Sequence, residues 1–366
     1  MSILIFIIIL AVLIFVHELG HFITAKKAGI RVDEFGIGFP PKILTLFKMG
    51  ETSYTLNLIP FGGFVKIFGE NPDDESISGP DKSRSFVNKP KSIQILVLAA
   101  GVLFNIIFAW LLLSSGFIFG IPAPAGYSDT VAIENPKLLI TGVSQGSPAS
   151  SAQLKSGDEI LSLSTGKVTL EKLSPESVKE FIVNHDTEEL TLNYRRGNIE
   201  SEVLLTPASG ILGNQRAIGI SMDIVGILKL PLHLALWEGA RTTYAITKAT
   251  TIGLGMFVYQ AFMGNSDLSQ ITGPVGIVGI VGDITQLGFI YLVSFTALIS
   301  INLAVINLIP FPALDGGRIL FVIIEAIKGS RINPKVANTL NSIGFALLIV
   351  LMIVVTYNDI FNLIGH

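Results

Sequence analysis

The chain has 366 residues, half of them hydrophobic and only 14% charged, with a mean hydropathy of +0.63. Soluble domains carry about 25% charged residues, so the composition points to a membrane protein, and a net charge of −3 gives no basis for a nucleic-acid partner. There is no cysteine, which excludes disulfides and thiol catalysis and leaves any metal site to His, Asp and Glu.

Residues 2–16 are almost wholly apolar and run straight into His17-Glu18-Leu19-Gly20-His21. The segment lacks the basic start and small-residue cleavage site of a signal peptide, so it reads as a retained span. Three further apolar blocks, at 93–119, roughly 288–309 and roughly 343–357, reach or approach the length of about 20 residues that a crossing needs. The expected fold class is therefore a membrane α-helical protein with four transmembrane helices. The loop 24–92 carries ten Lys and Arg residues and the loop 317–340 carries four, whereas neither terminal flank carries any. By the positive-inside rule both loops are cytoplasmic and both termini lie outside.

His-Glu-x-x-His on a helix sets two imidazoles one turn apart on one face, where both can bind one zinc ion. Glu18 cannot reach the metal in the same way but can take a proton from a water that the metal activates. Ionisable side chains inside a span cost roughly 2.5–3.5 kcal/mol for a charged carboxylate near the centre, and such residues are functional by default. The fourteen apolar residues Ile3–Val16 reach about 21 Å at 1.5 Å per residue. The motif thus lies in the hydrocarbon near the cytoplasmic face, and water must enter through a polar pocket.

Between the second and third spans, residues 126–207 have soluble-domain composition: short strand-like runs, and Ser174 placed to cap a helix that opens at Pro175. The run Gly146-Ser147-Pro148-Ala149, Ala152, Leu154, Gly157-Asp158 and Ile160-Leu161 resembles the core signature of PDZ domains. One inserted α+β PDZ domain is implied, with peptide binding by strand addition or a rigid-spacer role as alternatives. Residues 231–263 contain only about 15 consecutive apolar residues, short of a span. They read as helices on the outer membrane surface, since an extra crossing would carry the next block's Asp315 to the far side from His17.

A catalytic zinc needs a third protein ligand and one open position. The remaining histidines, His185, His233 and His366, fall outside the membrane or on the wrong side. Asp315 is the best candidate, in the run Asn307-Leu-Ile-Pro310-Phe-Pro312-Ala-Leu-Asp315-Gly-Gly at the cytoplasmic end of the third span. Pro310 and Pro312 interrupt the helix there, and non-helical backbone at membrane depth is tolerated only where protein or a water-lined cavity surrounds it.

Taken together, these two motifs resemble the site-2 protease family of intramembrane zinc metalloproteases, and the layout with a PDZ insertion resembles its bacterial branch. Gly62-Gly63-Phe64-Val65-Lys66, Ala100-Gly101, Asn105 and Gly273-Pro274-Val275-Gly276-Ile277 extend the likeness over nearly the whole chain. The resemblance implies Zn2+ as cofactor, held by His17, His21 and Asp315, with Glu18 as base. It implies that single-span membrane proteins such as anti-sigma factors or remnant signal peptides are cut in a bacterial cytoplasmic (inner) membrane, within the lipid bilayer. It gives Asn307 the part of an oxyanion donor or substrate clamp, a helix–helix hydrogen bond being the alternative, and adds Asn105, Pro310 and Pro312 as substrate-positioning residues. It makes the stretch around Tyr54–Ile67, with Gly62 and Gly63 at its turn, a short cytoplasmic-side reentrant β-hairpin whose edge holds substrate as an added strand.

The implied organisation is a first membrane part at 1–125, an extracytoplasmic PDZ domain at 126–207 that offers a groove to a peptide C-terminus, and a second membrane part at 208–366. Many members of that branch carry two PDZ domains, and this chain has room for one. Two readings from other classes remain: a membrane PDZ scaffold with a structural metal, and a transporter with broken helices. Structural zinc sites are closed by four protein ligands where three are found here, and no internal repeat supports transport.

Overall fold

The computed structural model describes residues 1–127, 133–212, 215–264 and 272–364. The first apolar block and the His-Glu-x-x-His pattern form one helix, α1 (Ser2–Lys27), followed by strands β1 (Val32–Met49) and β2 (Thr52–Ile67), a short helix α2 (Asp74–Ser78) and α3 (Lys91–Phe119). Next come β3 (Ile121–Pro124), β4 (Glu134–Val143), α4 (Pro148–Ser151), β5 (Glu159–Ser164), α5 (Pro175–Asn184), β6 (Leu190–Arg196), β7 (Ile199–Leu205), β8 (Ala208–Leu212), β9 (Gln215–Ala217) and β10 (Ile220–Leu228). Five helices complete the chain: α6 (Leu232–Phe262), α7 (Pro274–Leu287), α8 (Phe289–Asn307), α9 (Asp315–Lys328) and α10 (Pro334–Ile364). They group into two units, one of Met1–Ser114, Leu236–Thr285 and Leu292–His366, the other of Ser115–Ala235 and Gln286–Tyr291.

In the first unit, α1, α3, α8 and the Pro334–Phe361 part of α10 are long and apolar enough to cross a membrane, one for each apolar block of the sequence. Residues 231–263 form a single long helix, α6, rather than several; it carries Glu238, Arg241 and Lys248 and falls outside that set of four. It is tied to α3 by the Trp110 indole donating to the Leu236 carbonyl at 2.9 Å, and to α8 by the Thr250 hydroxyl donating to Asn302 at 3.3 Å. Small residues let α1 and α3 touch: a Cβ on Gly20 would fall 2.5 Å from the Ala100 carbonyl oxygen.

β1 and β2 are antiparallel but too long for one flat hairpin, and register shifts fold them back on themselves. Glu34–Ile37 pairs on one side with Gly63–Lys66 and on the other with Ser53–Leu56, while Leu44–Met49 pairs with Thr52–Leu56. Gly63–Lys66 therefore has no strand on its outer side among the described residues. Phe35, Val65 and Ile67 bury their side chains with Ala25 of α1, Val97 and Leu98 of α3, and Val322 of α9. Burial of this kind contributes about 25 cal/mol per Å² of apolar surface and fixes the sheet against the motif-bearing end of α1.

The second unit is built on a six-stranded antiparallel sheet in the order β3-β10-β4-β5-β6-β7. Leu138, Ile140, Leu163, Leu190 and Leu192 pack from the sheet on Val178, Phe181 and Ile182 of α5. Helix α5 begins where the sequence places it, with a capping box between Ser174 and Ser177 and Pro175 in the first turn. Strands β3 and β10 lie on either side of 126–207, so the compact unit is wider than the polar stretch that announces it.

Candidate metal centre

Helix α1 presents His17 and His21 on one face, and both rings are buried, each 7% exposed. The His21 Nε2 lies 3.2 Å from the His17 Nε2. The Asp315 Oδ2 lies 3.0 Å from the first residue's ring nitrogen and 3.4 Å from the second's, counting His17 first. Among the described residues these three side chains form the group of His and acidic ligand atoms close enough to share one ion.

Zinc bound tetrahedrally at about 2.0–2.1 Å separates its ligand atoms by about 3.3 Å, and the observed triangle has sides of 3.0, 3.2 and 3.4 Å. The His21 Nδ1 is occupied with the Val97 carbonyl of α3 at 2.8 Å. As a donor there, it leaves the Nε2 lone pair aimed at the Asp315 carboxylate, a contact between two acceptors that a cation resolves. Two nitrogens, one carboxylate oxygen and, among the described residues, no fourth protein ligand fit a catalytic zinc with an open position.

Asp315 reaches the site through a broken segment. Helix α8 ends at Asn307, residues 308–314 turn, and Asp315 starts α9. Gly344 of α10 leaves room for this turn, since a Cβ there would stand 2.7 Å from the Pro312 Cβ. Asn341, one turn earlier on α10, accepts from the Ala313 amide at 3.2 Å. Sequence reasoning missed both α10 residues, because their partners lie on a different helix and nothing local marks them.

Glu18 does not join the triangle. It lines, with His21, Asp315, Val65 and Arg318, a cavity of about 640 Å³ whose wall also holds Arg31 and Glu70. Arg318 and Glu70 form an ion pair there, another feature that no sequence motif announced. Gly62 and Gly63 run alongside: a Cβ on Gly62 would meet the Ile14 side chain at 2.8 Å, and one on Gly63 would lie 3.9 Å from the Glu18 Cγ. Asn307 is half-buried, and its carboxamide has no hydrogen-bond partner among the described residues. Pro310 is exposed and Pro312 half-buried in the turn. Asn105 is fully buried against His17.

The model of peptidase family M50 matches residues 5–351. The chain belongs to this family, the site-2 proteases. It is 31% identical to the regulator of sigma-W protease RasP of Bacillus subtilis over 431 aligned positions, covering 97% of each chain. Against the zinc metalloprotease RasP of Geobacillus kaustophilus it is 30% identical over 437 positions, covering 98% of this chain and 97% of the relative. The RasP of Bacillus licheniformis is 30% identical over 431 positions, with 97% of each chain covered. This chain is accordingly an integral membrane zinc metalloendopeptidase, and zinc is the cofactor that the donor triangle fits.

Proposed function

We propose that this M50 peptidase cuts the membrane-spanning segments of single-span proteins in a bacterial cytoplasmic membrane, anti-sigma factors and remnant signal peptides being its substrate classes. One observation carries the reading: two donor atoms on a helix otherwise built to lie in lipid and a third from the start of α9 converge within 3.4 Å beside a cavity lined by Glu18 and other charged groups. Such a cavity can admit water to a bond that the bilayer would keep dry. The relative named for control of sigma-W supports anti-sigma factors as one substrate class.

Bound by His17, His21 and Asp315, zinc supplies Lewis-acid polarisation of the scissile carbonyl and acidifies water for attack. Glu18 takes the proton of the attacking water and delivers it to the leaving amine. Asn307, whose carboxamide has no hydrogen-bond partner among the described residues, donates to the developing oxyanion. A helical substrate hides its peptide bonds, so it must be extended before attack. The open side of Gly63–Lys66, next to Glu18, accepts it as an added strand, and this part of β1–β2 enters the membrane from the cytoplasmic side.

The Lys- and Arg-rich loops support a cytoplasmic position for that side and an outer one for the termini. The second unit is then an extracytoplasmic PDZ domain. Between α5 and β10 it has a groove of about 320 Å³ lined by Lys179, Ile182, Ile218 and Ile220 among others, which suits an apolar peptide C-terminus.

The test compares membranes of the host carrying the native chain with those carrying Glu18→Gln. Quantitative mass spectrometry of small membrane peptides is expected to find transmembrane fragments that accumulate only in the variant. Identical peptide profiles would overturn the reading.

A further inference from the structure

Helix α3 meets the two imidazoles with three residues spaced four apart, Val97, Gly101 and Asn105, on one face. Gly101 lies directly under the rings, since a Cβ there would come 2.7 Å from the His17 Cε1. Val97, one turn before it, receives the Nδ1 of His21 on its carbonyl oxygen at 2.8 Å. Asn105, one turn after it, faces the Nδ1 of His17 with its carboxamide at 3.3 Å. The face is thus built as two stations, one for each ring nitrogen that points away from the metal triangle.

At the Asn105 station the amide nitrogen Nδ2 faces the ring, and Oδ1 is buried without a hydrogen-bond partner among the described residues. That orientation suits a His17 with a bare Nδ1 and its proton on Nε2. Ligation through Nε2 demands the reverse tautomer, with the proton on Nδ1 and an acceptor to receive it. A half-turn of the carboxamide exchanges its two ends and brings Oδ1 onto Nδ1–H with no change of side-chain position. One amide atom is unpaired in either orientation, so the ring nitrogen through which His17 is ligated decides between them. The backbone of Asn105 is itself pinned, because the Ser300 hydroxyl of α8 donates to its carbonyl at 2.8 Å.

We propose that Asn105 is a positioning residue of the metal centre: its carboxamide oxygen accepts the His17 Nδ1–H, fixing the tautomer and ring plane that present Nε2 to zinc. Asn105 is 0% exposed, so it acts through His17 and touches no substrate. The inference rests on the reading that His17, His21 and Asp315 hold the zinc.

The experiment measures zinc affinity of the full-length protein in detergent by competition with a chromogenic chelator, for the native chain, His17→Ala, Asn105→Leu and Asn105→Asp. Asn105→Leu keeps the volume and removes the acceptor, and a fall in affinity of about 10–100-fold is expected. Asn105→Asp keeps an acceptor oxygen at the same place and is expected to hold zinc at least as tightly as the native chain, a rescue that a merely structural role would not give. Selective 15N-histidine NMR of the zinc-loaded native protein requires no variant to fold, and His17 is expected to show a protonated Nδ1. An unprotonated Nδ1, or Asn105→Leu with native affinity while His17→Ala loses zinc, would overturn the role of Asn105 alone. If His17→Ala retains native affinity, the metal-site reading fails and this inference fails with it.

Discussion

The backbone amide of Ala313 donates to the carboxamide oxygen of Asn341 at 3.2 Å, and Ala313 sits in the left-handed region at φ +77°. A residue with a Cβ gives up about 1–2 kcal/mol there, so the turn that brings Asp315 to the two histidines is held from α10. Asn341→Ala removes a bond with a net value of about 0.5–1.5 kcal/mol and is expected to weaken zinc binding several-fold. Ala313→Gly relieves the backbone and is expected to raise stability by about 1 kcal/mol, read as a higher midpoint of thermal unfolding in detergent. A lower midpoint for Ala313→Gly would show that the turn is not strained.

Gly101 tests the packing of the same centre. A methyl group there would stand 2.8 Å from the His17 Nε2 and closer still to that of His21, and overpacking of this kind costs about 1–3 kcal/mol. Both rings must move, so Gly101→Ala is expected to lose at least tenfold in zinc affinity, measured by chelator competition, while helix content by circular dichroism is unchanged. Native affinity in that variant would mean that α3 can retreat from α1 at little cost.

The candidate metal centre is legible where its information is local. His17 and His21 are four residues apart on one helix, and Asp315 stands out because two prolines break an apolar run just before it. The supports were not legible: Val97, Asn341 and Gly344 act across helix interfaces far apart in sequence and each reads alone as an ordinary helical residue, while Asn105 stands out only through the family likeness and there as a substrate-positioning residue, not as a neighbour of His17. The second unit was under-read for a related reason. Its strand β10, ISMDIVGIL, has the apolar character of the helix that follows, and only its pairing with β3 and β4 shows that it belongs to the sheet.

Base and ligands separate by substitution. Glu18 borders the cavity without joining the donor triangle, so Glu18→Gln is expected to bind zinc one-to-one with cleavage about 10²–10⁴-fold lower, the typical contribution of a general base. His17→Ala, His21→Ala and Asp315→Ala are expected to lose both metal and activity. Zinc content by atomic emission and cleavage of a reporter span in detergent give the two readouts, and substantial turnover by Glu18→Gln would sink its part as base.

Orientation can be tested directly because the chain has no cysteine. Single substitutions Lys82→Cys, Ser201→Cys and Ser330→Cys place one thiol in each of the two basic loops and one in β7 of the second unit. With an impermeant thiol reagent applied to intact cells whose outer envelope admits it, labelling is expected at 201 only. Labelling at 330 with protection at 82 would separate Asp315 from the histidines by a bilayer.

A protease able to cut any exposed membrane segment would harm its host, so access must be limited, and the second unit is the part to remove in testing how. Its ends are adjacent: the Leu230 amide donates to the Phe117 carbonyl at 2.8 Å. A short Gly/Ser linker from Gly120 to Leu230 can therefore replace the whole sheet, whereas excising only 126–207 would strand β3 and β10 without partners. If the unit is a size gate, the deletion is expected to leave cleavage of substrates with a shortened outer domain unchanged and to increase cleavage of full-length ones, both followed by immunoblot against the Glu18→Gln background. A receptor for the new C-terminus behaves oppositely, since losing its groove would abolish cleavage of the shortened substrate in a protein that still binds zinc. The two outcomes differ on the shortened substrate, whose cleavage is unchanged in one case and abolished in the other, so one deletion decides between a steric gate and a peptide receptor.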